Sequence, residues 1–196
     1  MEFNSKIVGV LSAVNRKYFT SCATSEHPQP IGYNATISAR DIHALTLHYL
    51  DIQQDDNVLD VGCGSGYLCA AFAYCGAQVT GVDHIPELVD LSYNNIKKAT
   101  PHLMHSITLS CCDGRKGYPS HAPYDKINVG AACSEIYPSL IDQLKMGGKL
   151  FLPLILPDKS ERMTLITKTE NGFDKQMSTQ VIFVPMTDKQ SQLYKI

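Results

Sequence analysis

Apolar residues recur at helical spacing along residues 7–19, at Ile7, Val10, Leu11, Val14 and Tyr18, and predict an amphipathic helix. The run Ser25-Glu26-His27-Pro28-Gln29-Pro30 then breaks regular structure ahead of Gly32, predicting a loop of functional length. Ser38 followed by Ala39, Asp41, Ile42, Leu45 and Tyr49-Leu50 has the pattern of an N-capped amphipathic helix ending near Asp51. After polar residues 53–56, the β-branched run Asn57-Val58-Leu59-Asp60-Val61 predicts a strand that enters a glycine turn at residues 62–66 and then an Ala-rich helix.

Further along, residues 77–82 read as a strand stopping at Asp83, and residues 86–99 as a helix with Pro86 in its first turn. Strands are expected over 106–111 and 125–129, a short helix over 138–144, a tight turn at Gly147-Gly148 and a strand over 149–156. Residues 163–169 and 177–184 flank Asn171-Gly172, a hairpin signal. Alternating β and α elements with a closing hairpin define an α/β fold, a doubly wound, mostly parallel sheet. Such sheets bind ligands at the carboxyl ends of their strands.

Composition narrows the class. The 196 residues, 44% hydrophobic and 18% charged, suit one domain over 1–196, with residues 1–51 as a helical, substrate-side segment. A net charge of -2 without runs of like charge excludes the basic footprint of a nucleic-acid or membrane-surface binder. The apolar run 7–11 is too short for a secretory leader, and no stretch approaches the ~20 apolar residues of a membrane helix. Seven cysteines without a C-x-x-C pair support neither a disulfide framework nor a metal site, and point to a reducing cytoplasm.

The chemistry concentrates at Asp60-Val61-Gly62-Cys63-Gly64-Ser65-Gly66. This D-x-G-x-G-x-G turn lets backbone approach a ligand closely, yet Tyr67 stands where a dinucleotide loop carries its third glycine, and no Lys-Ser/Thr follows as in a phosphate loop. A phosphate-free nucleoside fits better, namely S-adenosylmethionine. Asp83, at the end of the next strand, is placed to accept from ribose hydroxyls, Asp113-Gly114 to meet the adenine edge, and Asp60 to hold the methionine ammonium. An isolated Asp is more often a cap or turn residue; three at successive strand ends favour the nucleoside.

Four segments resemble the protein-L-isoaspartate(D-aspartate) O-methyltransferase family: Pro30-Ile31-Gly32-Tyr33-Asn34-Ala35-Thr36-Ile37-Ser38-Ala39, the glycine loop with Tyr67, residues 113–125, and residues 140–148 with Val184-Pro185-Met186-Thr187-Asp188. The resemblance implies a Rossmann-like methyltransferase fold and methyl transfer from S-adenosylmethionine, leaving S-adenosylhomocysteine. The acceptor it implies is the free carboxylate of L-isoaspartyl and D-aspartyl residues in damaged proteins, handled by a cytoplasmic monomer. It makes Ser38 the catalytic serine, a neutral hydroxyl that clamps a carboxylate already nucleophilic at neutral pH, so that no general base is needed. Plain N-capping is the other reading of Ser38.

The cofactor shell implied by the resemblance is Ala35, Thr36, Ile37, Ser38, His43, Ser65, Asp83, His84, Asp113, Gly114, Thr187 and Gln192, beside Asp60, Gly62 and Gly64. Val129, Gly130 and Ala131 are expected to leave room for a peptide, and Asn15 and Arg16 to shape its cleft. His43 as a structural histidine, and Asn15 and Arg16 as helix-face packing, are the alternatives. The chain departs from the family pattern in a shorter segment before Lys6, where Met1-Glu2-Phe3 stands as a possible alternative start, in Asn15 for an acidic residue, and in Leu156-Pro157-Asp158-Lys159 for a glycine-rich stretch. Two rival readings stay open at this point: a methyltransferase with another acceptor, and a non-catalytic adenosylmethionine-binding module.

Overall fold

A computed structural model describes residues 3–22 and 24–194; Met1 and Glu2, part of the expected alternative start, lie outside it. Helix α1 (Ser5–Ala13) begins where Asn4 Oδ1 accepts from Ile7 N, and it buries Ile7, Val10 and Leu11. The expected single helix over 7–19 stops short. Val14 leaves helical geometry, and Asn15 turns its side chain onto Lys17 N to start a 3-10 turn, Arg16–Tyr18. Competition between an Asn side chain and the helical ladder explains the break.

The expected loop before Ser38 contains a small hairpin, β1 (Gln29–Gly32) and β2 (Ala35–Ile37). Its tip, Tyr33 and Asn34, has φ of 53° and 55°, the geometry of a tight primed turn. Neither strand carries a β-branched alternation, and Pro30 is tolerated because this two-stranded ribbon is all edge. Helix α2 (Arg40–Leu50) is capped at Ala39 without a side-chain bond, so the expected Ser38 cap is absent. Glu26 O accepts from Arg40 N at 2.9 Å instead, which leaves the Ser38 hydroxyl out of the cap.

The body of the chain alternates as expected: β3 (Asn57–Val61), α3 (Tyr67–Tyr74), β4 (Gln78–Asp83), α4 (Pro86–Ala99), β5 (Ile107–Cys111), β6 (Tyr124–Val129), α5 (Pro138–Asp142), β7 (Leu144–Ile155), β8 (Glu161–Thr169), β9 (Gly172–Val181) and α6 (Lys189–Leu193). The seven strands order as β5-β4-β3-β6-β7-β8-β9, parallel through β7 and antiparallel thereafter. The winding direction reverses between β3 and β6, which opens a crevice at their carboxyl ends. Successive β3 residues feed opposite cores: Val58 packs beneath α1, α2 and α3, and Leu59 joins Ile127, Leu150 and Ile166 on the other face.

Two expected turns move. Gly147-Gly148 is not a turn before a strand but an irregularity inside β7, where the pairing with β6 slips between Tyr124 and Lys126. The β8-β9 hairpin turns at Glu170-Asn171, and Gly172 already pairs with Thr169. Strand β9 therefore spans Gly172–Val181 rather than 177–184; its residues are largely solvent-facing, so backbone pairing with β8 rather than apolar content defines it. No helix among the described residues is long and apolar enough to cross a membrane.

Candidate active site

The crevice floor is backbone. Gly130 N donates to Val61 O at 2.8 Å, and a Cβ on Gly130 would sit 2.8 Å from Gly62 O, so the two strand ends meet only because residue 130 has no side chain. Gly66, with φ of +84°, turns the loop into α3. Side chains of neighbouring elements hold the loop in shape. Asp83 Oδ2 accepts from Gly64 N, Ser92 Oγ donates to Gly64 O, and Asn95 Nδ2 donates to Ser65 O.

Around this floor lies an open crevice lined by Ala35, Thr36, Gly62, Gly64, Asp83, His84, Asp113, Gly114, Gly130, Ala131, Thr187 and Gln192. An inner chamber shares Thr36, Gly62, Gly64 and Gly130 with it and adds Ile37, Ser38, His43, Asp60 and Ser65. The structure thus gathers all the expected cofactor positions into two adjoining spaces. Gly130 and Ala131 join them. Val129 does not, being a buried strand residue paired with Val61.

Asn15 and Arg16 also stand apart from both spaces. Asn15 is exposed and begins the 3-10 turn. Arg16 is only 7% exposed: its guanidinium donates to Ser25 O at 3.2 Å and His27 O at 3.1 Å, and lies 3.4 Å from His43 Nδ1. Because Arg can only donate, Nδ1 accepts and the imidazole proton sits on Nε2. The His43 ring stacks on Tyr67 at 4.4 Å, and burial, aided by the Arg16 charge, holds its pKa down to about 3. His43 is a neutral wall of the inner chamber.

The lining of both spaces is acidic and contains no Lys or Arg. Asp60 is buried; desolvation raises its carboxyl to about 6, opposed by bonds from Asn128 Nδ2 at 2.8 Å and Cys69 Sγ at 3.2 Å. Asp83 is raised by burial, although backbone N–H groups of Ile85 and Gly64 stabilise its anion. Asp113 is lowered by its two-pronged pairing with Arg115, which engages the carboxylate outside the crevice. Asp60 forms no ion pair among the described residues. A buried carboxylate without a protein cation, in a crevice lined by no Lys or Arg, suits a cationic ligand free of phosphate. These residues fit S-adenosylmethionine.

Asn128 escapes sequence reasoning, whereas the segment after β9 and Gln192 lie where the resemblance places cofactor contacts. Asn128 is a single amide between Ile127 and Val129 in a central strand, and that polar interruption is the signal that marks it. The segment after β9 forms a strap over the crevice: Ala132 N donates to Val184 O and Met186 N to Ala132 O, both at 2.8 Å. Gln192 then joins three elements, meeting His84 Nε2 at 2.7 Å, donating to Tyr33 O at 2.9 Å, and accepting at its own carbonyl from Asn34 at 2.8 Å.

A family model described as protein-L-isoaspartate(D-aspartate) O-methyltransferase (PCMT) matches residues 2–191. The chain is 43% identical over 202 residues to protein-L-isoaspartate O-methyltransferase 2 of Arabidopsis thaliana, covering 97% of this chain and 65% of that one. It is 39% identical to protein-L-isoaspartate O-methyltransferase of Triticum aestivum, over 96% of this chain and 86% of its relative. Among solved structures, a Plasmodium falciparum chain assigned as a protein-L-isoaspartate O-methyltransferase, in complex with S-adenosyl-L-homocysteine, superposes with a TM-score of 0.85 at 28% identity, covering 94% of this chain and 91% of that one. With a match of that extent falling on a crevice built for a cationic nucleoside, the chain belongs to the protein-L-isoaspartate(D-aspartate) O-methyltransferase family, whose members draw the methyl group from S-adenosylmethionine.

Proposed function

We propose that this chain transfers a methyl group from S-adenosylmethionine to the free carboxylate of L-isoaspartyl residues, and of D-aspartyl residues, in damaged proteins and peptides, beginning their repair. The observation that carries this reading is the position of Ser38. With Thr36 it borders both the inner chamber and an outer groove walled by Pro28, Ala39, Ile42 and Gln180 to Phe183. A carboxylate arriving along the groove meets the Ser38 hydroxyl at the chamber mouth.

In this reading Asp60 holds the ammonium end of the methyl donor, Asp83 its ribose, and Asp113-Gly114 the adenine side, with Gly62, Gly64 and Ser65 as backbone floor. When bound, S-adenosylmethionine supplies an electrophilic methyl carbon that a carboxylate oxygen takes up with no proton to move, leaving S-adenosylhomocysteine. Ser38 donates to the second carboxylate oxygen and so fixes the first in line. Its neutrality matters, because a cation at that point would stabilise the anion and blunt its attack. His43 presents a neutral Nε2–H donor to the chamber. Gly130 and Ala131 admit the substrate backbone, and Arg16 acts one layer back by fixing the carbonyls of the loop that ends in Pro28. A monomer in the cytoplasm completes the reading, the compartment being supported by thiols that are all free.

Replacing Ser38 with Ala tests it. Loss of a hydrogen bond to a charged group, about 1.5–3 kcal/mol, corresponds to a fall in turnover of roughly 10- to 150-fold. The affinity for S-adenosylhomocysteine should stay within about two-fold, since Ser38 faces the acceptor. Unchanged turnover removes Ser38 from this role.

A further inference from the structure

The inference drawn here rests on the reading that the acidic crevice takes S-adenosylmethionine. Asp60, one residue before the end of β3, lines the inner chamber, and each of its carboxylate oxygens accepts one protein donor: Oδ1 from Asn128 Nδ2 at 2.8 Å, Oδ2 from Cys69 Sγ at 3.2 Å. The donors come from different elements. Asn128 is the register partner of Asp60 on β6, and Cys69 lies in the first turn of α3. An amide buried near the carboxyl end of a central parallel strand costs stability unless it is bonded, and here its N–H is turned onto the carboxylate. A carboxylate accepts about four hydrogen bonds, so sites remain on Asp60 for a ligand in the chamber.

We propose that Asn128 is a positioning residue of the methyl-donor site: with Cys69 it fixes Asp60 as an oriented anion facing the chamber, and so governs binding of the donor's ammonium group. The other titratable groups around Asp60 are Asp83, a like charge at the end of β4, Cys63 in the glycine loop, and neutral His43 with Tyr67 on the chamber wall. Burial and Asp83 favour the protonated acid, whereas Asn128 and then Cys69 favour the anion. Removing the Asn128 donor therefore has to move Asp60 protonation toward neutral pH. Strengthening the Cys69 donor has to move it the other way.

The test is calorimetric titration of S-adenosylhomocysteine, which carries the same ammonium group, into the full chain from pH 5 to 8, for the wild type, Asn128→Leu and Cys69→Ser. In the wild type Kd should rise below about pH 6 by up to ten-fold per unit. The onset should move upward in Asn128→Leu and downward in Cys69→Ser. Carbon-13 titration of the Asp carboxyls in ligand-free protein gives the same ordering without any binding step. Methylthioadenosine, which lacks the amino acid, should bind with the same pH dependence in all three proteins. If S-adenosylhomocysteine binds but the three onsets coincide, the positioning role is overturned; if it binds at no pH, the reading of the crevice itself fails. Should Asn128→Leu not fold, Asn128→Ala takes its place in the series and is judged by the same upward shift.

Discussion

Arg16 and His43, 27 residues apart, meet with Nη1 3.4 Å from Nδ1, a contact that sets the imidazole tautomer and ties the first turn of the chain to the chamber wall. Because burial and the adjacent cation both disfavour imidazolium, the His43 resonances should show the neutral Nε2–H form throughout pH 4–8 in nitrogen-15 spectra. Arg16→Met should mix the tautomers. It should also lower stability by about 2–4 kcal/mol, because the carbonyls of Ser25 and His27 lose their donor together.

His43 and Asp60 pull the acid stability of the ligand-free protein in opposite directions. His43 falls from 6.5 to about 3 on folding, so between those values the unfolded chain holds the extra proton and stability drops as pH falls. Asp60 rises from 3.8 to about 6, so between those values the folded chain holds the extra proton and stability grows as pH falls. The two slopes offset one another from about pH 6 to pH 4. Asp60→Asn removes the second and should steepen acid destabilisation by about 1 kcal/mol per pH unit in that window, measured by urea unfolding against the wild type.

Two glycines separate close approach from simple flexibility. Gly130→Ala drives a Cβ against Gly62 O and should cost about 1–3 kcal/mol and narrow the crevice, seen as a lower Tm and weaker S-adenosylhomocysteine binding. Gly9→Ala, in the middle of α1 with nothing within 4 Å of the new Cβ, should raise stability by up to about 1 kcal/mol.

Gln192 links the strap to the hairpin tip and to His84. Gln192→Ala keeps the backbone acceptor for Asn34 but removes the two side-chain bonds. Release of S-adenosylhomocysteine, followed by stopped flow, should quicken several-fold, while Tm stays within a few degrees because the residue is outside both cores.

What was legible in the amino-acid pattern, and what was not, divides along physical lines. Helix α4 and strand β3 appear at their expected limits because Pro86 starts one and a β-branched run bounded by polar residues and glycine defines the other. The hairpin before Ser38 is invisible, since two three- or four-residue strands with a Tyr-Asn tip carry no periodicity. Ser38 carries the composition of a cap, yet the carbonyl of Glu26 takes the place of one, a long-range contact that local pattern does not encode. Motif and resemblance together name the residues that line the crevice and its inner chamber. Arg16 shows the limit of that transfer, because its position in the family's cleft says nothing of its burial behind His43. Asn128 is marked only by being an amide between the buried residues Ile127 and Val129.

The most direct measurement is transfer of a labelled methyl group from S-adenosylmethionine to two peptides that differ only in one residue, L-isoaspartate in one and L-aspartate in the other, with the ester scored by its release as methanol in base. Labelling confined to the isoaspartyl peptide is the predicted result. Equal labelling of both peptides, or labelling of neither by a chain that binds S-adenosylhomocysteine, contradicts the account.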